Sequence, residues 1–132
     1  MAGKKEAKSA IERSLVPGVP IKLPVERNDD GSYVEVEFLL VFDWNAVALI
    51  EEHTGRNLLQ NAGWQKLNAR DLSVFLWAAL LEDDPELTLK EVRRMMFPWN
   101  RELIDAKLAE AYKKNFPDPQ PEDPPQPATT TS

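Results

Sequence analysis

The stretch ARDLSVFLWAALLEDDPELTLKEVRRMM, residues 69–96, decides the fold of this chain. Its first half places apolar side chains three and four residues apart, the spacing that lines one face of an α-helix, at Leu72, Phe75, Leu76, Ala79 and Leu80. The other sides of this helix are apolar too, and such a helix is usually buried at the centre of a domain. We therefore expect a central helix that begins after Asn68 or Asp71 and runs to about Glu82.

Two more helices are expected after this one. Thr88 and Glu91 have the spacing of a capping box, in which each side chain satisfies a free backbone N–H. They predict a third helix over 89–97 that Pro98 stops. Asn100 is placed to cap a fourth helix, whose inner face we expect to consist of Leu103, Ile104, Leu108, Ala111 and Tyr112.

One helix is expected before the central one. Asp43 is a good N-cap residue, and Gly55 is of the type that commonly follows a helix end. The apolar residues between them recur at helical spacing. The pattern therefore predicts a helix over 44–54.

The chain before these helices has the pattern of a β-hairpin. Apolar residues alternate with polar residues or prolines on both sides of Asp30-Gly31, a dipeptide typical of tight hairpin turns. Prolines in the first of these two strands indicate an edge strand. We expect a hairpin within 17–42 that packs on the helices or pairs with a partner, since a lone hairpin is marginal in water. The strand Tyr33–Val41 is a candidate edge for self-assembly or for addition of a partner strand.

These patterns predict a mainly helical α+β fold, in which an N-terminal β-hairpin precedes four helices. The single domain is expected to cover 17–115, with the hairpin at 17–42. Residues 1–16 are polar and charged and are interpreted as a flexible arm. Residues 116–132 hold six of the 11 prolines and almost no large apolar side chain. This composition predicts a disordered tail of polyproline character.

Composition excludes several classes of function. The net charge is −6, and the 16 basic residues are scattered, whereas nucleic-acid binding normally requires a basic patch. Nucleic acid and anionic membrane surfaces are therefore not expected as partners. The chain has no cysteine, so disulfides and thiolate metal sites are excluded.

The residues that could carry chemistry do not form a recognisable constellation. His53 is the one histidine, and we interpret it as a residue near a helix C-terminus, where a positive charge is favoured. The acidic run at 82–86 lacks the spacing of a calcium-binding loop and is interpreted as a solvated turn between helices. No phosphate-binding, zinc-protease or nucleophile motif is present. We therefore predict no catalytic residue, no metal and no cofactor.

The chain has four tryptophans, a residue type that often anchors protein–protein interfaces. Trp77 is assigned to the core. Trp64 lies beside Gly63, and Trp99 lies between Pro98 and Asn100, and tryptophans in such loops are candidate interface anchors. The adjacent methionines and phenylalanine add adaptable apolar surface. The predicted protein-binding residues are Trp64, Met95, Met96, Phe97 and Trp99.

Three motifs in this order resemble the tail assembly chaperones of long-tailed phages and gene transfer agents. The first is VEVEFLLVFDWNAVALIEEHTGRNLL at 34–59, a strand followed by an aspartate-capped helix that ends in Glu-x-x-Thr-Gly. The second is L-x-x-x-L-W-A-A-L at 72–80, and the third is D-P-E-L-T-L-x-E-V at 84–92. The resemblance covers about residues 20–97.

The resemblance implies a protein that binds the tape measure protein and the tail tube subunit during tail assembly. It implies no catalytic or metal residue, a place in the host cytoplasm and absence from the mature virion. A small acidic protein could cover the apolar stripes of a tape measure protein while its net charge keeps the complex in solution. Self-assembly into a homo-oligomer stays open.

Three other functions stay open. The chain could be a structural or adaptor protein that is retained in the phage particle, and mass spectrometry of purified virions separates this role from that of a chaperone. It could be a small acidic regulatory module that binds proteins. An enzyme would require a cleft that gathers His53 with carboxylates.

Overall fold

The computed structural model describes residues 15–59, 64 and 66–115 of the chain. Within these ranges an antiparallel hairpin is followed by helices. The elements are β1 (Val19–Arg27), β2 (Tyr33–Leu40), α1 (Trp44–Thr54), α2 (Ala69–Leu80), α3 (Leu89–Arg94), a 3-10 turn (Pro98–Asn100) and α4 (Arg101–Asn115). This architecture confirms the predicted α+β fold. The predicted arm at 1–16, apart from its last two residues, and the whole of the predicted tail at 116–132 lie outside the described residues.

The turn of the hairpin forms at the predicted Asp-Gly pair. Gly31 has a φ of 93°, a left-handed conformation that glycine adopts readily because it has no Cβ. The Asn28 N–H donates to the Ser32 carbonyl at 2.7 Å and closes the turn. The Ser32 hydroxyl and the Ser32 N–H both donate to the Asp30 carboxylate. These bonds, that of the hydroxyl above all, hold the pKa of Asp30 below its usual value.

The hairpin buries one face against the helices. The buried side chains come from both strands and include Val19, Ile21, Leu23, Phe38 and Leu40. The Val41 N–H donates to the Ala79 carbonyl at 2.9 Å, and the Leu39 N–H donates to the Asp83 carboxylate at 3.0 Å. β2 is therefore tied to α2 and to the turn after it, which gives the hairpin the support that a lone hairpin lacks.

α2 is the central helix, as the apolar pattern predicts. Nine of its 12 residues are buried, and it contacts α1, α3, α4 and β2. Asn68 is its N-cap and accepts a hydrogen bond from the Asp71 N–H at 2.8 Å. Trp77 is half-buried, and its indole N–H donates to the Leu87 carbonyl at 3.0 Å. This bond fastens one side of α2 to the segment that leads into α3.

α1 has the bounds that its caps predict. The Asp43 carboxylate accepts a hydrogen bond from the Ala46 N–H at 3.0 Å. At the other end Gly55 has a φ of 75°, and its N–H donates to the Glu51 carbonyl. His53 lies in the last turn, the position expected for a residue that favours a helix C-terminus.

The acidic turn after α2 is less solvated than predicted. Asp84 is buried, and its carboxylate accepts a hydrogen bond from the Glu86 N–H at 3.4 Å. Asp83 is engaged by the Leu39 N–H of β2. The interpretation as a solvated turn is therefore wrong for Asp84, because the turn is folded against the hairpin and caps its own backbone.

α3 is shorter than predicted, because it ends at Arg94 with Met95 as its C-cap residue. Phe97 is extended, with φ −136° and ψ 156°, since a following proline disfavours helical geometry.

Asn100 was expected to cap α4, but its buried side chain instead forms hydrogen bonds with the backbone that precedes it. Its Oδ1 accepts from the Phe97 N–H at 2.8 Å, and its Nδ2 donates to the Met95 carbonyl at 3.0 Å. Asn100 thus fixes the bend between α3 and α4.

α4 closes the core with one face. Its buried residues Ile104, Leu108 and Ala111 were predicted for this face. Leu103, also predicted there, is exposed, and Tyr112 is half-buried. The buried side chains of the hairpin and of all four helices form one hydrophobic core among the described residues. None of the described helices has the length and apolar character needed to cross a bilayer.

Candidate protein-binding surface

Three aromatic rings lie together where the tip of the hairpin meets the bend before α4. The rings of Phe97 and Trp99 are stacked, with centroids 5.2 Å apart and planes inclined by 17°. The ring of Tyr33, the first residue of β2, lies 5.6 Å from that of Phe97 and 5.8 Å from that of Trp99. We call these three residues the aromatic patch.

The aromatic patch is open to solvent. The Trp99 side chain is 58% exposed, Tyr33 is also exposed, and Phe97 is half-buried. Val25 and Val34, at the same end of the hairpin, are exposed as well. Rigid aromatic side chains dominate protein–protein binding, because each buries a large area at little cost in conformational freedom. The aromatic patch is therefore the strongest candidate for a protein-binding surface in the described part of the chain.

A groove runs from the aromatic patch along the side of α3. Its outer part is a hollow of about 260 Å³, lined among others by Pro24, Val25, Tyr33, Arg94 and Phe97. Its inner part, about 290 Å³, shares Pro24, Val25 and Arg94 with the outer part. β1 is irregular between Pro24 and Glu26, so Val25 has no pairing residue in β2. Such a bulge bends a strand and re-aims its side chains, and here it leaves Val25 on the wall of the groove.

Charged side chains of both signs border this groove. Arg27 and Arg94 line the outer part together with Glu26. Glu91 lines the inner part and accepts hydrogen bonds from the N–H and the hydroxyl of Thr88, which completes the predicted capping box. The Thr88 N–H is the main cause that holds the pKa of Glu91 below its usual value. The groove therefore has two guanidinium groups and two carboxylates along its borders.

The structure brings three of the five predicted binding residues to this bend. Phe97 and Trp99 belong to the aromatic patch, and the half-buried Met96 precedes them. Met95 is only 5% exposed and lies in the core. It follows the buried Val92 by three residues, on the same side of the helical turn. Met95 is therefore a core residue that also lines the inner part of the groove, and its role in protein binding stays a prediction.

Trp64 lies in a second aromatic cluster, which packs on the core. Its ring is 5.0 Å from those of Phe75 and Tyr112 and 5.7 Å from that of Phe42. The side chain is half-buried. Its position in a loop led us to expect exposure, but Trp64 packs on the core, and Leu58, which also lies between α1 and α2, is fully buried. Trp64 is therefore not a fully exposed side chain, and its role in protein binding stays a prediction.

Sequence reasoning missed Tyr33 as part of the candidate binding surface. The Asp-Gly turn does place Tyr33 near the hairpin tip, but no spacing rule connects it to Phe97 on a distant element. Sequence reasoning also did not identify Trp44 as exposed, although this side chain is 66% exposed. Trp44 follows the far end of β2, whose eight residues at about 3.3 Å each span more than 20 Å from Tyr33. Trp44 is therefore an exposed tryptophan remote from the aromatic patch.

The chain matches no protein-family model, no characterised protein and no solved structure. Its function is therefore inferred from its own residues and from the resemblance to tail assembly chaperones. The aromatic patch and the groove beside it are the features on which that inference depends.

The second predicted surface, the edge of β2, is partly occupied. The N–H groups of Leu39 and Val41 donate to Asp83 and Ala79, as described above. These bonds engage the C-terminal end of β2 within the molecule. Use of the rest of the strand for self-assembly stays a prediction.

No other described feature gathers groups that could carry chemistry. The His53 ring lies edge-on to the Trp77 ring at 5.2 Å. A hollow of about 450 Å³ between α1 and α2 is lined by Asp43, Asn45 and Leu49 among others, and His53 is not one of its lining residues. Among the described residues, no three His, Cys, Asp or Glu side chains come together as a metal site would require.

Proposed function

We propose that this chain is a phage tail assembly chaperone. In this role it binds the tape measure protein, the tail tube subunit or both, and covers their apolar surface while the tail is built. It acts in the host cytoplasm, makes and breaks no covalent bond, and leaves before the virion is complete. The observation that carries the proposal is the exposed aromatic patch beside an apolar groove, joined to the resemblance of residues 20–97 to this family.

The aromatic patch suits an amphipathic helix of the partner. Neighbouring side chains of an apolar helical stripe lie about 5–6 Å apart. The three ring centroids of the patch are separated by 5.2 to 5.8 Å, so consecutive side chains of the stripe can seat on adjacent rings. The next turn of the helix can then enter the groove over Val25. Helix-in-groove complexes use anchors spaced in this way.

The acidic charge of the chain supports the same role. A long protein with exposed apolar stripes aggregates when it is left uncovered. Binding of a chain with a net charge of −6 covers the stripe and adds mutual repulsion between complexes. The proposed chaperone thus opposes aggregation by burial of apolar area and by charge.

Replacement of Trp99 by alanine is expected to weaken binding to the tape measure protein by about 30-fold, or about 2 kcal/mol, the loss typical of an interface hot spot. The ring is exposed in the free protein, so its contribution is made mainly in the complex. Isothermal titration calorimetry with a purified tape measure fragment measures the change. Phe97→Ala should weaken binding as well, because it removes the ring on which Trp99 stacks.

Trp44→Ala is the matched control, since it removes the same exposed side chain far from the aromatic patch. It should change the affinity less than about twofold, within the range of near-neutral interface positions. Circular dichroism should show that both variants keep their helical content. Equal loss of affinity in the two tryptophan variants, or none in Trp99→Ala, would contradict the proposed binding surface.

Mass spectrometry of purified phage particles tests the chaperone role itself. We expect the chain to be absent from mature virions and present in lysates that accumulate tail intermediates. Its recovery in particles at a fixed ratio to the tail proteins would favour the structural or adaptor protein instead.

A further inference from the structure

We propose that a groove between α1 and α2 binds a basic amphipathic helix of a partner protein. Such a helix has an apolar stripe that is bordered by lysine or arginine. The groove is the hollow of about 450 Å³ described above, and we call it the acidic groove. It is separate from the aromatic patch and gives the chain a second surface for a partner, so this inference does not rest on the proposed function.

The two helices that form the acidic groove run antiparallel. Arg56, just after the end of α1, pairs with Asp71 in the first turn of α2. Asn45, near the start of α1, instead lines the hollow together with Leu81, which directly follows α2. A pair of helices offers a groove along its outer side, in which a third helix packs at an axial distance of about 8–10 Å. The acidic groove therefore has the form of a seat for a helix.

The floor of the acidic groove is apolar and recessed. Leu49 follows Ala46 by three residues, and Leu81 follows Ala78 by three, so each leucine lies beside its alanine on the same side of the helix. Both alanines are almost fully buried, whereas both leucines are half-buried and keep part of their surface in water. In packed helices a large apolar side chain inserts between four surrounding residues. A leucine or methionine of the partner's stripe fits this position.

The border of the acidic groove carries negative charge. Asp43 and Glu82 line the hollow, and none of its described lining residues is basic. Glu52 is exposed and lies seven residues after Asn45, about two turns further along the same side of α1. The groove beside the aromatic patch, by contrast, has charges of both signs. Because complementary charge selects partners and like charge rejects them, the acidic groove favours a helix with lysine or arginine beside its stripe.

The acidic groove and the aromatic patch lie near opposite ends of β2. Tyr33, the first residue of β2, belongs to the aromatic patch. Near the other end, the Leu39 N–H donates to Asp83, the neighbour of Glu82 in the acidic groove. The strand from Tyr33 to Leu39 spans about 20 Å, at about 3.3 Å per residue. A helix at one surface therefore leaves the other surface open, and the chain can hold two segments at once.

NMR titration of the isotope-labelled full chain with a designed peptide tests the proposal. The peptide is a helix of about 18 residues, or about five turns, with a leucine stripe and with lysine on both sides of the stripe. The amide signals of the four floor residues should shift and saturate, while the indole signal of Trp99 stays in place. The absence of shifts at the acidic groove, or larger shifts at the aromatic patch, would overturn the proposal.

A second peptide, with glutamate in place of every lysine, tests whether charge selects the partner. It should not bind, because its carboxylates would meet those of Asp43, Glu52 and Glu82. Binding of this peptide at the acidic groove would refute the assignment of a basic helix.

Glu52→Lys together with Glu82→Lys reverses the charge of the border and leaves the floor intact. The affinity for the lysine peptide should fall by at least about tenfold, since like charges then meet across the interface. The matched control is Glu102→Lys with Glu110→Lys on α4, a pair of exposed residues whose replacement changes the net charge equally. This control should lose less than about threefold, because its charges act only at long range. Equal losses in the two variants would mean attraction to the overall charge alone and would overturn the proposal.

The dependence on salt is a further measurement, and it requires no substitution. The affinity of the parent chain for the lysine peptide should fall by at least about tenfold between about 0.01 M and about 1 M salt, as the Debye length falls from about 30 Å to about 3 Å. An affinity that salt leaves unchanged would contradict the proposed ion pairs. Trp99→Ala should bind the peptide as the parent chain does, so a failure of the aromatic patch to bind the tape measure protein leaves this test unaffected.

Discussion

Phe75→Ala is expected to lower the free energy of unfolding by about 4 kcal/mol, within the range found when a buried aromatic ring is removed from a core. Phe75 is fully buried in the middle of α2. Its ring lies 5.0 Å from that of Trp64 in an edge-to-face arrangement. The loss combines the transfer of the ring from water with the cavity that it leaves. Urea unfolding followed by circular dichroism measures the change.

Phe97→Ala is the matched control for this variant, because it deletes the same ring at a half-buried position of the aromatic patch. Its effect on stability should be much smaller, since water already reaches one side of the ring. Domains of this size are typically stable by about 5–15 kcal/mol, so Phe75→Ala removes a large part of the total. Similar losses in the two variants would show that α2 is not the centre of the core.

Arg56→Ala is expected to destabilise the protein by about 3 kcal/mol, because removal of one partner of a buried ion pair leaves the other charge uncompensated. The Arg56 Nε lies 2.8 Å from the Asp71 Oδ2, and both side chains are largely buried. The Arg56 Nη2 also donates to the Lys66 carbonyl at 2.9 Å. Arg70 lies 3.6 Å from the other Asp71 oxygen but is mostly exposed and compensates poorly. Urea unfolding at neutral pH is the measurement.

The ion pair of the half-buried Lys107 and the exposed Glu110, 3.7 Å apart on α4, provides the comparison. Lys107→Ala should change the stability by less than about 1 kcal/mol, as is usual for surface ion pairs. The double variant Arg56→Ala, Asp71→Ala should recover part of the loss, because it removes the buried charge that Arg56→Ala leaves behind. A loss in Arg56→Ala no greater than that in Lys107→Ala would mean that the ion pair does not hold the loop between α1 and α2.

The elements that short-range rules govern could be predicted from the sequence. Asp43 and Gly55 gave the bounds of α1, and the residues before and after the Asp-Gly pair gave the hairpin. Each of these signals acts within about four residues, through a cap or a turn. The burial of α2 followed from apolar residues on all its sides.

The candidate binding surface could be predicted only in part, because its members come from distant segments. Phe97 and Trp99 were identified from their place beside Pro98, but Tyr33 joins them only through the packing of the hairpin on the helices. Trp64 has the sequence context of a loop, and its burial depends on rings from three other segments. Burial of this kind is set by tertiary packing, on which local composition carries no information.

The two hydrogen bonds of Asn100 have a consequence for the strength of the proposed binding. They anchor the chain on both sides of Met96, at Met95 and at Phe97. Ordering a mobile loop upon association costs free energy and weakens a complex. Because this loop is ordered when the protein folds, the rings of Phe97 and Trp99 are presented in a preorganised state. In the proposed complex, a partner helix would therefore meet a rigid template, without a conformational search by this protein.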